Sequence, residues 1–148
     1  MVEEAVGRRT CIFLAEDNSG DVELLRMALR DADVDCDLIV VADGREALDY
    51  VCGRGKYTNG DVPDLVVLDL NLPKNDGLEI LEALRGNPAF SKVPVAIVSS
   101  SSAPQELVRM QSLGVDRFIP KPADLDQYLQ IGGTLKGLLR SNQLEPSA

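Results

Sequence analysis

Five short apolar runs of strand length alternate with longer stretches whose apolar residues recur at helical spacing, and this alternation restricts the chain more than any other feature. It points to an α/β fold in which a parallel sheet is covered by helices on both faces. The runs fall at residues 11–15, 38–41, 65–68, 95–98 and 115–119, and the third is apolar throughout, as a central strand must be. Between them Val22, Leu25 and Leu29 share one helical face, with Ser19 placed to cap it. Asp43 and Glu46 have the spacing of a capping box before Ala47, Leu48 and Val51, and Gly53 would end that helix. A loop through Gly55 and Gly60 leads to the third run, whose helix is expected at about residues 78–84. Pro94 opens the fourth strand, Ser102 and Gln105 have capping spacing for the fourth helix, and Gly114 ends it. The last helix is expected from Asp124 to about Leu139. Gly132 and Gly133 inside it cost about 2 kcal/mol relative to alanine, so it should bend, fray or be held by packing.

A length of 148 residues fits one domain with a sizeable core, expected over residues 9–140 with disordered tails at 1–8 and 141–148. No apolar run approaches the roughly 20 residues of a membrane-spanning helix. The first residues, MVEEAVGRRTC, place acids before two arginines and lack an apolar core, so they do not read as a signal peptide and a cytoplasmic location is expected. Fifteen basic against 24 acidic residues give a net charge of −9, which argues against nucleic-acid binding. Cys11, Cys36 and Cys52 are widely spaced near apolar runs and read as reduced, buried fillers. The chain has no histidine, which removes Cys/His zinc sites and Ser/His/Asp or Cys/His catalysis. Any chemistry must use carboxylates, lysine, hydroxyls or a bound metal.

In an open parallel sheet, ligands bind beyond the carboxyl ends of the strands. The residues there are Glu16, Asp17, Asp69, Ser99 and Lys121. Three carboxylates at one edge repel each other unless a cation sits among them, and a hard, oxygen-ligated ion such as Mg²⁺ suits them. With a lysine and a hydroxyl beside them, the set holds the parts of phosphoryl transfer. Each part also has a plainer reading: Asp17 as a helix cap, Ser99 to Ser102 as loop plus cap, Lys121 as a surface charge.

These residues resemble the receiver domains of two-component response regulators. The resemblance is carried by "FLAEDN" with Glu16 and Asp17, "VVLDLNLPKNDG" around Asp69, "PVAIVSSS" with Ser99, and "FIPKP" with Lys121, in the family's order. It implies a doubly wound (βα)5 flavodoxin-like fold with strand order 2-1-3-4-5. It also implies that Asp69 accepts a phosphoryl group from a phosphohistidine or a small acyl phosphate, with Mg²⁺ held by Glu16, Asp17, Asp69 and the Asn71 main-chain carbonyl. Lys121 would pair with phosphoryl oxygens, and Ser99 would bond the phosphoryl group while Phe118 rotates inward as the switch. The same resemblance implies a cis Lys121–Pro122 bond, where the sequence alone favours trans. The long segment 53–64 and "LDLNLPKNDG" look like the single-domain regulators that partner bacterial phytochromes. The expected partners are a sensor histidine kinase, phytochrome-type in that subgroup, or a phosphotransfer protein, with a homodimer through the fourth helix, fifth strand and fifth helix by analogy. With no output domain after the last helix, output is expected to come from binding rather than from catalysis on another substrate.

Three rivals stand beside this reading. A haloacid-dehalogenase-like phosphatase also uses an aspartyl nucleophile, but it wants an acid two residues later, where this chain has Asn71. A flavodoxin-like FMN carrier shares the topology, but the acidic pair would repel the phosphate, and no Trp, three Tyr and three Phe leave little to stack on a flavin. A receiver-like docking module that is never phosphorylated would not need the complete set of five residues.

Overall fold

The computed structural model describes residues 9–57, 62–74, 77–100 and 104–144. Five strands, β1 (Thr10–Ala15), β2 (Cys36–Val41), β3 (Leu65–Leu68), β4 (Val95–Ser99) and β5 (Arg117–Pro120), form one sheet in the order β2-β1-β3-β4-β5, and every pairing is parallel. The helices are α1 (Ser19–Asp31), α2 (Gly44–Cys52), α3 (Gly77–Gly86), α4 (Pro104–Ser112) and α5 (Leu125–Leu144). This is the doubly wound arrangement the alternation and the resemblance implied.

The period-two alternation of the strands divides the core between the two faces. Ile12, Leu14, Leu65, Val67 and Val98 pack with Leu25 and Leu29 of α1 and Ile131 and Leu135 of α5. Phe13, Val66, Leu68 and Ile97 point the other way, towards α2, α3 and α4 through Val51, Leu81 and Met110. All four residues of β3 are fully buried, which is why that run carries no polar residue.

Several boundaries differ from the sequence expectation for physical reasons. β2 begins at Cys36, two residues early, because an edge strand tolerates the exposed Asp37. β5 begins at Arg117, since Asp116 turns its carboxylate to accept the Val95 amide at 2.8 Å before the strand starts. Asn18, not Ser19, caps α1, accepting the Asp21 amide at 3.0 Å. Asp43 caps α2 through the Glu46 amide at 2.8 Å, and Gly53 ends it with φ of 68°, both as expected. Gly114 follows α4 with φ of 73°. The Ser102 cap, Gly60 and the tail at 1–8 lie outside the described residues. The C-terminal tail is not a tail as far as Leu144, because α5 runs to that point.

α5 is one continuous helix across its glycines, and packing is what holds it. A Cβ built on Gly132 would stand 2.0 Å from the Ala28 carbonyl oxygen of α1, whereas nothing lies within 4 Å of one on Gly133. The bare Gly132 backbone lets the two helices touch. Lys136 then reaches the Ala32 carbonyl at 2.9 Å, satisfying a C-terminal acceptor of α1. No disulfide joins the three cysteines, but they are not buried as expected: Cys11 and Cys36 are half-buried and Cys52, the last residue of α2, is exposed.

Candidate phosphoryl-acceptor site

Three parallel strands deliver the site. β1 ends one residue before Glu16, β3 one residue before Asp69, and β4 at Ser99, so the pleat and register of β1, β3 and β4 set these side chains at one edge. Lys121 follows β5, tied in place by its amide donating to the Ser99 carbonyl at 3.0 Å. Glu16, Asp69 and Ser99 are the three buried polar residues among the described residues.

Asp69 is held on both oxygens. Its Oδ1 accepts from the Ser99 hydroxyl and the Asn71 amide, each at 3.0 Å, and its Oδ2 accepts from Lys121 Nζ at 2.9 Å. Burial works to raise its pKa, but the Asn71 amide, Lys121 and Ser99 together overcome this and hold it below the ordinary carboxylate value, leaving Asp69 ionised. Glu16 takes the opposite course. Burial dominates there and pushes its pKa from 4.5 up to about 7, against the opposing pull of Lys121 and of the Asn18 amide, which donates to Oε2 at 3.1 Å.

Lys121 is the positive centre. Its ammonium lies 2.9 Å from Glu16 Oε1, 2.9 Å from Asp69 Oδ2 and 2.7 Å from Asp21 Oδ2. Burial alone would favour the neutral amine, but the bonds to Asp21, Asp69 and Glu16 raise its pKa well above the usual lysine value. Among the described residues there is no cis peptide bond, so Lys121–Pro122 is trans, the ordinary preference of an X–Pro bond. The cis form implied by the resemblance is absent, and the three carboxylates orient the lysine instead.

Glu16, Asp17 and Asp69 each offer a carboxylate oxygen, and those oxygens lie within 4.8 Å of one another, with Asp17 exposed on the open side. An all-oxygen donor set of this charge suits a divalent cation. Phe118 is half-buried, paired in register with Ile97, and packs against the core under α2, α3 and α4.

Glu16, Asp17, Asp69, Ser99 and Lys121, named from the strand ends, thus come together. Asp21 and Tyr128 are additions. Asp21 follows Asp17 by four residues, one helical turn, and that spacing was the available signal; on its own it read as an ordinary acid in a first turn. Tyr128, buried in α5, lines a cavity of about 10 Å³ beneath the site with Glu16, Asp21 and Asp69. Burial, then the Asp21 charge, raise its phenol pKa, while the Lys121 charge lowers it.

Residues 12–131 match the family model for the response regulator receiver domain. The chain belongs to that family. Response regulator Rcp1 of Synechocystis sp. is 33% identical over 120 residues, which are 81% of this chain and 82% of Rcp1. A crystal structure of the Mn(2+)-bound form of Rcp1 matches with a TM-score of 0.79 at 29% identity, over 94% of this chain and 97% of that one. The phosphorylated cyanobacterial phytochrome response regulator RcpA matches with a TM-score of 0.83 at 36% identity, covering 90% of this chain and 96% of RcpA. The bacteriophytochrome response regulator AtBRR gives 0.70 at 40% identity, over 87% and 94%. Similarity to phytochrome response regulators agrees with the subgroup resemblance, and neither the phosphatase nor the flavodoxin rival is favoured. Among the described residues no helix is long and apolar enough to cross a membrane.

Proposed function

We propose that this receiver operates by phosphorylation of Asp69. What carries the reading is the state of that one carboxylate: buried, ionised, and fixed at once by the Ser99 hydroxyl, the Asn71 amide and the Lys121 ammonium. An Asp69 oxygen attacks the phosphorus of a phosphohistidine on a sensor kinase or phosphotransfer protein, or of a small acyl phosphate; a P–O bond forms as the P–N bond, or the bond to the acyl oxygen, breaks. Lys121 meets the charge of the arriving phosphoryl oxygens, and Ser99 moves its hydrogen bond from the carboxylate to the phosphoryl group. Phe118 then turns inward and alters the surface of α4, β5 and α5, a two-state element biased by the new dianion. Glu16, Asp17, Asp69 and the Asn71 main-chain carbonyl would hold Mg²⁺, which when bound neutralises phosphoryl charge.

The phosphorylated RcpA and the Mn(2+)-bound Rcp1 support this reading, and the phytochrome regulators among the relatives favour a phytochrome-type kinase. The domain extends from residue 9 to the end of α5 at Leu144, acts in the cytoplasm, and transforms no substrate but itself. Output passes through a partner protein or a second copy meeting the α4-β5-α5 face, where Val108 is 68% and Leu125 48% exposed. The net charge of −9 disfavours nucleic acid.

The test is intact-protein mass after incubation with acetyl phosphate, with and without Mg²⁺. A Mg²⁺-dependent gain of one phosphoryl group, about 80 Da, is expected for the wild type and not for Asp69→Asn. No gain together with no binding of beryllofluoride would instead favour the unphosphorylated docking module.

A further inference from the structure

We infer that Asp21 is a positioning residue that restrains phosphoryl acceptance by holding part of the Lys121 charge. The inference rests on Asp69 being the acceptor. An ammonium has three N–H donors, and Glu16, Asp21 and Asp69 take all three at 2.7 to 2.9 Å, with Asp21 the nearest. A phosphoryl group on Asp69 brings new oxygens that need one of these donors, so Lys121 must give up a bond it already makes.

Two of the three carboxylates belong to the metal-compatible group, and Asp21 does not. A cation seated there would offset charge on Glu16 and Asp69 while leaving Asp21 to compete for the ammonium. Asp21 is also built to stay. Its amide is bonded to the Asn18 side chain at 3.0 Å, and Val22 and Leu25 on either side of the turn are buried in the core, which fixes the rotation of α1. Tyr128, 4% exposed, closes the inner side of the pair across the same small cavity, while the Asp21 side chain keeps 22% of its surface open to solvent and ions on the outer side. An anion held this close to the place where a dianion must sit opposes its arrival.

The experiment is the rate of phosphoryl incorporation from acetyl phosphate with Mg²⁺, by intact mass, at low and high salt, in wild type, Asp21→Asn, Asp21→Ala and Asp69→Asn. Melting curves first establish that each variant folds. Asp21→Asn, which keeps the side-chain volume, is expected to incorporate phosphoryl about fivefold faster at low salt, and the gain should shrink at high salt, which an effect on packing alone would not do. Asp21→Ala should move in the same direction. Wild type labelled at Asp69 with Asp21→Asn equal or slower at low salt would overturn the role of Asp21 and leave the acceptor standing. Labelling that survives in Asp69→Asn, or labelling of no variant, would overturn the acceptor and this inference with it.

Discussion

Glu16 and Asp69 are two carboxylates at one sheet edge that burial and neighbours push in opposite directions, and the difference has a measurable consequence. A carboxyl whose pKa rises on folding binds a proton that the unfolded chain releases, so stability falls as pH rises between the two values. For Glu16 the window runs from 4.5 to about 7, and with no histidine in the chain no other side chain ordinarily titrates in its upper part. The metal-free wild type should therefore lose melting temperature between pH 5 and pH 7, while Glu16→Gln stays flat across that range; parallel curves would contradict the assignment. Lys121→Ala removes the one cation from among three carboxylates. Breaking such a pair costs about 3–5 kcal/mol when it is fully buried, and with Lys121 partly accessible at 14% a smaller loss is expected, along with loss of beryllofluoride binding. Divalent cations should restore more stability to this variant than to the wild type, as read by thermal melts with and without Mg²⁺.

At the scale of elements, the contact between α1 and α5 gives a sharper test than propensity does. Glycine to alanine in a helix ordinarily gains about 1 kcal/mol, and Gly133→Ala, with open space around it, should show a gain of that order. Gly132→Ala should instead lose about 1–3 kcal/mol, because its Cβ meets the Ala28 carbonyl and the helices must separate. Denaturant melts of the two variants settle it, and equal effects would mean that the close approach is not what keeps α5 straight. The adjacent glycines were visible in the sequence, but which of them faces α1 was not. That depends on the rotation of α5, which Tyr128, Ile131 and Leu135 set by packing on the sheet.

For the whole molecule, the parallel sheet and the five site residues were legible because each strand is a short apolar run and the chemistry sits where the run stops, whereas the strand order came from the family resemblance. Asp69 follows Leu68 and Lys121 follows Pro120, so finding the strand found the residue. Asp21 and Tyr128 were not legible in this way. An acid in the first turn of α1 and a tyrosine in the apolar stripe of α5 are ordinary in sequence, and only the packing of α1 against α5 at the sheet edge brings both to Lys121 and its pocket. The start of β5 was likewise decided by a tertiary contact, the Asp116 carboxylate accepting the Val95 amide. The most direct measurement on the whole protein is to treat it with acetyl phosphate and Mg²⁺, reduce the product with borohydride, which converts an aspartyl phosphate to homoserine, and locate the change by peptide mass spectrometry. Homoserine at position 69, and at no other aspartate, is the expected result; homoserine elsewhere, or a borohydride-resistant phosphate on a hydroxyl, would contradict the central role of Asp69.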